Sequence, residues 1–442
     1  MLDDKKTIFA LATPPGKSGV AIIRISGPEA FTSLTKLTTA NSIIPRQATL
    51  RNIYDPMDHQ LIDKSVIITF PAPHSFTGED IVELHIHGSR AVINIIISIL
   101  SKFSNLRLAN PGEFAKRAFL NGKMDLTSAE GLGDLIDAET SIQQKQAIRQ
   151  MEGNLANMYD NWKNSLIRLL ALLEAFLDFP EEDIPSDIMD EVNEGVDNLK
   201  NNIYLHLNDQ NKGEIIRRGI YIAILGAPNV GKSTLLNYLT RKDAAIVSSI
   251  AGTTRDIIEV NLDLDGYPVT IADTAGIRNS EDIIELEGIN RAFKKADHAD
   301  IKLIILDASN PFSYDKEIIS MIDTNTIVLI NKIDEEPNYI EIENSIKISI
   351  NKNIGLDNFL QSLSEFIAKK FSLSSDPLIT RERHRYHLNN CYETLSYFTV
   401  NKPLELACED LRLSARSLGQ IVGTIEVETI LDEIFINFCI GK

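Results

Sequence analysis

Short apolar runs, each closed by turn residues, recur along this chain, and their spacing separates strand-rich from helical stretches. Residues 221–225, 269–272, 327–330 and 345–348 are brief and apolar, with β-branched content, and read as buried strands. Residues 84–88 alternate, placing His85 and His87 on one face of a further strand, where they read as polar-face residues. The middle of the chain, from 128 to about 207, keeps a helical period, broken at 179–185 by Pro180, Pro185 and an acidic cluster that mark a bend. In the longest apolar stretch, 166–179, Arg168, Glu174 and Asp178 fall at helical spacing, so it reads as an amphipathic bundle helix. Helical periodicity returns after Asp376-Pro377, through 388–395, and ends in a stripe of Leu431, Ile434, Phe435 and Phe438 that would pack the last turns down.

The strand at 221–225 runs into Gly226-Ala-Pro-Asn-Val-Gly-Lys-Ser233, a complete GxxxxGK[ST] phosphate loop, and an amphipathic helix opens directly after it. Glycines at 226 and 231 let backbone N–H groups turn inward onto phosphate oxygens, and the helix N-terminus adds partial positive charge. Lys232 would neutralise the β and γ phosphates, and Ser233 would offer a hydroxyl to Mg2+. Asp273-Thr274-Ala275-Gly276 closes the strand at 269–272; Asp273 suits the Mg2+ shell and the Gly276 N–H the γ-phosphate. Asn331-Lys332-Ile333-Asp334 follows the strand at 327–330, and a carboxylate such as Asp334 pairs with the adjacent N–H donors of guanine, which adenine lacks. Ser349-Ile350-Asn351 stands where such domains carry a loop beneath the base. The nucleotide contacts expected are Asn229, Val230, Gly231, Lys232, Ser233 and Thr234; Ser248, Ser249, Ile250, Ala251, Gly252, Thr253 and Thr254; Asp273, Thr274, Ala275 and Gly276; and Asn331, Lys332 and Asp334.

Ile277 occupies the position where Ras-like enzymes carry a glutamine that orients the attacking water. Hydrolysis then needs another carboxylate or amide and another source of positive charge. Residues 247–256 form a polar switch, in which Thr254 is the natural second Mg2+ hydroxyl. Asn229 either turns its amide oxygen toward a monovalent cation or stabilises the loop as a turn residue.

At 442 residues the chain holds two to four domains, and 43% hydrophobic with 24% charged residues fits a soluble globular protein without a membrane span or signal peptide. Three scattered cysteines form neither a disulfide framework nor a zinc pattern, which points to the cytoplasm. A net charge of −18 argues against unfocused nucleic-acid affinity, leaving two local basic clusters, Arg381/Arg383/His384/Arg385/His387 and Lys116/Arg117/Lys123. The first reads as a solvated helix face.

Both ends of the chain carry longer signatures: residues 8–27 (IFALATPPGKSGVAIIRISG), 75–80 (SFTGED), 110–125 (NPGEFAKRAFLNGKMD) and the terminal Phe438-Cys-Ile-Gly-Lys442. With the nucleotide motifs between them, they make the chain resemble the MnmE (TrmE) tRNA-modification GTPases over its full length. The resemblance implies an α/β plus all-α fold: a folate-binding and dimerising α/β domain at 1–119, a helical domain at 120–216 and 376–442, and a Ras-like G domain inserted at 217–375. By position in the matching motifs, Arg24, Glu83, Lys123 and Lys442 would hold a 5-formyl- or methylene-tetrahydrofolate; without the family, Arg24 and Glu83 read as charges near strands that form a surface ion pair. Cys439 would be functional by the same resemblance, while chemistry alone admits a small buried residue.

The family further implies a K+ ion held by Asn229, Ser248, Ile250 and Thr253 in place of an arginine finger when two G domains meet, with Glu285 as the water-orienting carboxylate. It implies a homodimer acting with an MnmG-like flavoprotein, which alone carries FAD, on carbon 5 of the tRNA wobble uridine. A regulatory or ribosome-assembly GTPase of the Era or Der type is the alternative that the nucleotide motifs alone would allow.

Overall fold

The computed structural model describes residues 6–39, 43–178, 188–242, 245, 259–273, 298–310, 314, 316–335, 341–373, 376–424, 431, 434–436, 438–439 and 441. In chain order the first elements are β1 (Thr7–Leu11), β2 (Ser18–Ser26), α1 (Ala30–Leu37), β3 (Thr49–Tyr54), β4 (Leu61–Phe70), β5 (Ile81–Gly88), α2 (Arg90–Ser101), β6 (Leu106–Leu108), α3 (Glu113–Leu120) and α4 (Leu126–Asp137). Helices α5 (Ser141–Met151), α6 (Asn154–Asp178), α7 (Ile188–Leu207) and α8 (Lys212–Arg218) follow. Then come β7 (Ile220–Leu225), α9 (Lys232–Thr240), β8 (Glu259–Leu264), β9 (Tyr267–Asp273), β10 (Ile301–Asp307), α10 (Lys316–Ser320), β11 (Thr326–Asn331), β12 (Ile346–Lys347), α11 (Leu356–Lys370), α12 (Glu382–Tyr397) and α13 (Leu404–Val422).

The chain forms two compact units, one made of Met1–Gly133, Gln150–Asn193 and Tyr397–Lys442, the other of Asp134–Arg149 and Glu194–Ser396. In the first, a six-stranded sheet runs β3-β4-β5-β2-β1-β6, antiparallel except for the β1–β6 pair. Inward residues Phe9, Ile23, Ile25, Ile67, Val82 and Leu84 form its core with Ile93, Ile96, Ile99 and Leu100, which recur every three or four positions on α2. Helix α13 packs along α6, as its apolar stripe requires. The stripe expected near the C-terminus is real: Leu431 and Phe435 are buried, and Ile434 and Phe438 pack with them against Ala115, Leu126 and Ala129.

The second unit is built on a six-stranded sheet of order β12-β11-β10-β7-β9-β8, parallel except at β8. Its central strands are nearly continuous apolar runs, as a sheet covered on both faces demands, and Ile222, Ile224, Leu303, Ile305 and Leu329 are fully buried or nearly so. Every strand expected in this region is present. The β8–β9 hairpin turns at Asp265-Gly266, and its tip is fastened to the start of α5: Ile142 N donates to Gly266 O at 3.1 Å, while the Ile142 side chain joins the core beneath the sheet. Helix α5 is also tied to α8, where Gln146 Nε2 donates to the Gly213 carbonyl at 2.8 Å.

One expectation fails here. The basic run 381–387 is not a solvated face, because His384 is fully buried and two of its arginines are engaged inward. Arg385 donates to Glu214, to Asp209 at 2.8 Å and to the Leu207 carbonyl at 2.8 Å, and Arg381 donates to Asp134 at 2.7 Å. Carboxylates 170 or more residues upstream in the chain claim these cations, which periodicity alone cannot foresee. In the second cluster, Arg117 is likewise buried, between Glu79 and Glu113. Burial pushes the Glu113 carboxyl up, but hydrogen bonds from Arg107 and the Asn110 N–H, with the charges of Arg107 and Arg117, outweigh it and hold it below its ordinary value.

Candidate functional site

The site collects at the C-terminal ends of the parallel strands, beside β7, where the strand order reverses between β10 and β9. Strand β7 delivers the loop 226–233 there. Gly231 holds φ 110 and Gly226 φ 152, and a Cβ on Gly226 would strike the Ile305 carbonyl, so only glycine allows the loop this close approach to β10. Lys232 is buried at the start of α9 and donates to the carbonyls of Gly226 and Ala227 at 2.7 and 2.8 Å, folding its ammonium over the loop's own cradle. Ser233 and Thr234 lie exposed in the first turn of α9, and Val230 is buried beneath the loop. Glycine cradle, ammonium and helix N-terminus together fit a polyphosphate, and the Ser233 hydroxyl suits a hard, oxygen-seeking cation such as Mg2+.

Asn331 closes β11 and joins three loops. Its Nδ2 donates to the Val230 carbonyl of the phosphate loop at 2.8 Å, and its Oδ1 accepts the Ile350 N–H at 3.2 Å. The 349–351 segment expected beneath the base is thereby fixed to the phosphate loop through one amide. Asp334 is exposed beyond it, free of the core and open to a base. Lys332 adopts φ 64, and its ammonium reaches Asp307 Oδ2 at 2.5 Å. Asp307 was not among the expected residues. Its only sequence signal is an acidic residue ending an apolar strand, the same signal that marks Asp273, which lies at the end of β9 in register with Ile224 of β7. Asn229 is exposed with φ 62, a left-handed conformation that satisfies the turn-residue reading and leaves the cation reading open. Ser248, Ser249, Ile250, Ala251, Gly252, Thr253, Thr254, Thr274, Ala275, Gly276, Glu285 and Lys442 lie outside the described residues.

A second constellation sits in the N-terminal sheet. The β2–β5 register sets Arg24 opposite Glu83, and Arg24 Nε and Nη2 reach Glu83 Oε1 at 3.0 and 2.9 Å. His85, two residues on, faces Glu83 Oε2 at 3.3 Å, and His87 pairs with Asp63 at 2.7 Å. The Arg24 guanidinium lies 5.6 Å from the Phe76 ring centre and 5.7 Å from that of Phe114, and its Nη1 approaches the Gly441 carbonyl of the tail at 3.4 Å. A paired cation and carboxylate framed by two aromatic rings fits a planar heterocycle bearing N–H donors and carboxylates. Lys123 stands exposed with its stem over Gly78 and forms no ion pair among the described residues. Cys439 is exposed, and its carbonyl meets the Gly112 N–H at 3.5 Å.

A phosphate loop, a guanine-type reader and a mostly parallel sheet that presents both at one edge define a P-loop GTP hydrolase. Family models match nearly the whole chain: the GTP-binding protein TrmE N-terminus over residues 7–123 and the MnmE helical domain over residues 126–439. The chain belongs to the MnmE (TrmE) family. The tRNA modification GTPase MnmE of Rickettsia typhi is 49% identical over 444 residues, covering 99% of this chain and all of its own, and that of Rickettsia akari is 48% identical with the same coverage. Among solved structures, the G domain of the T. maritima FeoB iron transporter aligns with 33% of this chain and 98% of its own, at 23% identity and a TM-score of 0.25. No helix among the described residues is long and apolar enough to cross a membrane.

Proposed function

We propose that this chain is a cytoplasmic, homodimeric, K+-dependent GTPase that modifies carbon 5 of the wobble uridine in tRNA, adding an aminomethyl or carboxymethylaminomethyl group. It acts with an MnmG-like flavoprotein that carries FAD, and a tetrahydrofolate derivative supplies the one-carbon unit. In this reading residues 1–119 serve folate and dimerisation, 217–375 nucleotide, and 120–216 with 376–442 form the helical connection. The observation that carries the nucleotide half is the Asn331 amide, which ties the phosphate loop and the 349–351 loop together so that phosphate and base are met by one rigid frame. Support for the folate half comes from the Arg24–Glu83 pair between Phe76 and Phe114.

Lys232 neutralises phosphate charge, and Ser233 and Thr254 would hold Mg2+, which supplies charge stabilisation at the phosphates. Asn229, Ser248, Ile250 and Thr253 would hold K+, and Glu285 orients water. Arg24, Glu83, Lys123 and Lys442 would hold the folate. GTPase rates in KCl against NaCl, for the parent chain and for Asn229→Ala and Glu285→Ala, test the reading. Faster turnover in KCl that Asn229→Ala abolishes is expected; equal rates in both salts remove the cation site.

A further inference from the structure

Asp307 ends β10 directly beside Asn331 of β11, its register partner, and is almost wholly buried. Its two carboxylate oxygens hold separate partners. Oδ1 accepts the Ser309 N–H at 2.9 Å and the Ser309 hydroxyl at 2.7 Å, closing the turn after the strand, while Oδ2 faces the Lys332 ammonium at 2.5 Å. Burial pushes this carboxyl up, and the bonds from Lys332 and Ser309 with the Lys332 charge outweigh it, so it stays ionised.

Lys332 needs such an anchor. A lysine at φ 64 occupies a left-handed backbone region that L-residues seldom adopt, and its long side chain loses rotamer freedom when its end is held. Its neighbour Asn331 is already bonded to the phosphate loop and to Ile350, and Asp334 follows two residues on. With its ammonium held at Asp307 on β10, Lys332 would have only its apolar four-carbon stem left to present beside Asp334, an amphipathic use of lysine. We propose that Asp307 is a positioning residue for guanine-nucleotide binding: by holding the Lys332 ammonium, it fixes the lysine stem as a flat apolar wall for one face of the base. This rests on the assignment of Asn331 to Asp334 as the base reader.

Asp307→Asn tests the inference selectively, because the amide oxygen still serves Ser309 while the amide nitrogen turns a donor toward the ammonium. Losing a charge-assisted contact predicts a roughly ten- to thirtyfold rise in Kd for fluorescent GDP and in KM for GTP, with kcat within about twofold of the parent. Lys332→Met, which keeps an apolar stem but no charge, and the double variant complete a cycle that is independent of any shared loss of folding. Non-additive losses, with the double variant no worse than the weaker single, are expected. Unchanged affinity in Asp307→Asn, or losses that multiply in the double variant, overturns the inference. Asp334→Asn serves as the separate control: if it fails to shift preference from GDP to XDP, the base-reader assignment falls, and the inference with it, whatever the cycle shows.

Discussion

Asn331→Ala tests the frame around the nucleotide most directly. The substitution removes both hydrogen bonds of one buried amide, leaving the Val230 carbonyl and the Ile350 N–H without that partner on residues that are 1% and 6% exposed. A buried polar group stripped of its partner costs about 1–3 kcal/mol, so two of them predict a loss of roughly 2–6 kcal/mol, which far exceeds the effect of a typical surface change. The phosphate loop and the 349–351 loop would then be joined only through the sheet, and nucleotide would have to order them on binding. GDP affinity should therefore fall by at least tenfold, since ordering costs are subtracted from binding. Urea unfolding of the nucleotide-free protein and calorimetric titration with GDP read the two effects separately. A stability loss below about 1 kcal/mol with unchanged GDP affinity would refute the claim that this amide joins the loops.

Gly231→Ala places a Cβ against the Asn331 amide nitrogen at φ 110, so nucleotide affinity should drop by about tenfold or more while the far ends of the sheet stay folded; parent-like GDP binding would contradict the cradle. His206 is held neutral: burial above all, helped by the charges of Arg385 and His384, outweighs the upward pull of Asp209 and Asp376 and lowers its imidazole from 6.5 to about 4. Between those values the unfolded chain binds a proton that the folded chain refuses. Stability therefore falls as pH falls through this window, by about 2 kcal/mol at pH 5. His206→Gln should flatten that slope in urea titrations at pH 7.5 and pH 5, and parallel curves for parent and variant would count against it.

Much of the nucleotide site was legible because its information is local. Glycine spacing, an apolar strand before the loop and an amphipathic helix after it are read within about twenty residues, and the structure places β7 and α9 there. Asn331 and Lys332 were likewise visible. Their partners were not, since hydrogen bonds to Val230, Ile350 and Asp307 depend on which strands lie side by side. Arg24 and Glu83 show the same limit: alternation identifies two strands, but only the antiparallel register places residues 59 apart opposite each other. The inward turn of Arg385 on α12, and of Arg381 just before it, is not legible because a charged helix face looks alike whether water or buried carboxylates complete it.

The clasp between the Gly266 carbonyl and the Ile142 N–H gives the β8–β9 ribbon two fixed ends. Its strand β9 ends at Asp273, in register with Ile224 just before the phosphate loop, so the ribbon spans from the α5 contact to the nucleotide side of the sheet like a strut of set length. A strut transmits a push only while its far foot stays planted. Residues inserted at the 265–266 turn would therefore slacken helix α5's grip on events at the triphosphate without touching a single nucleotide ligand.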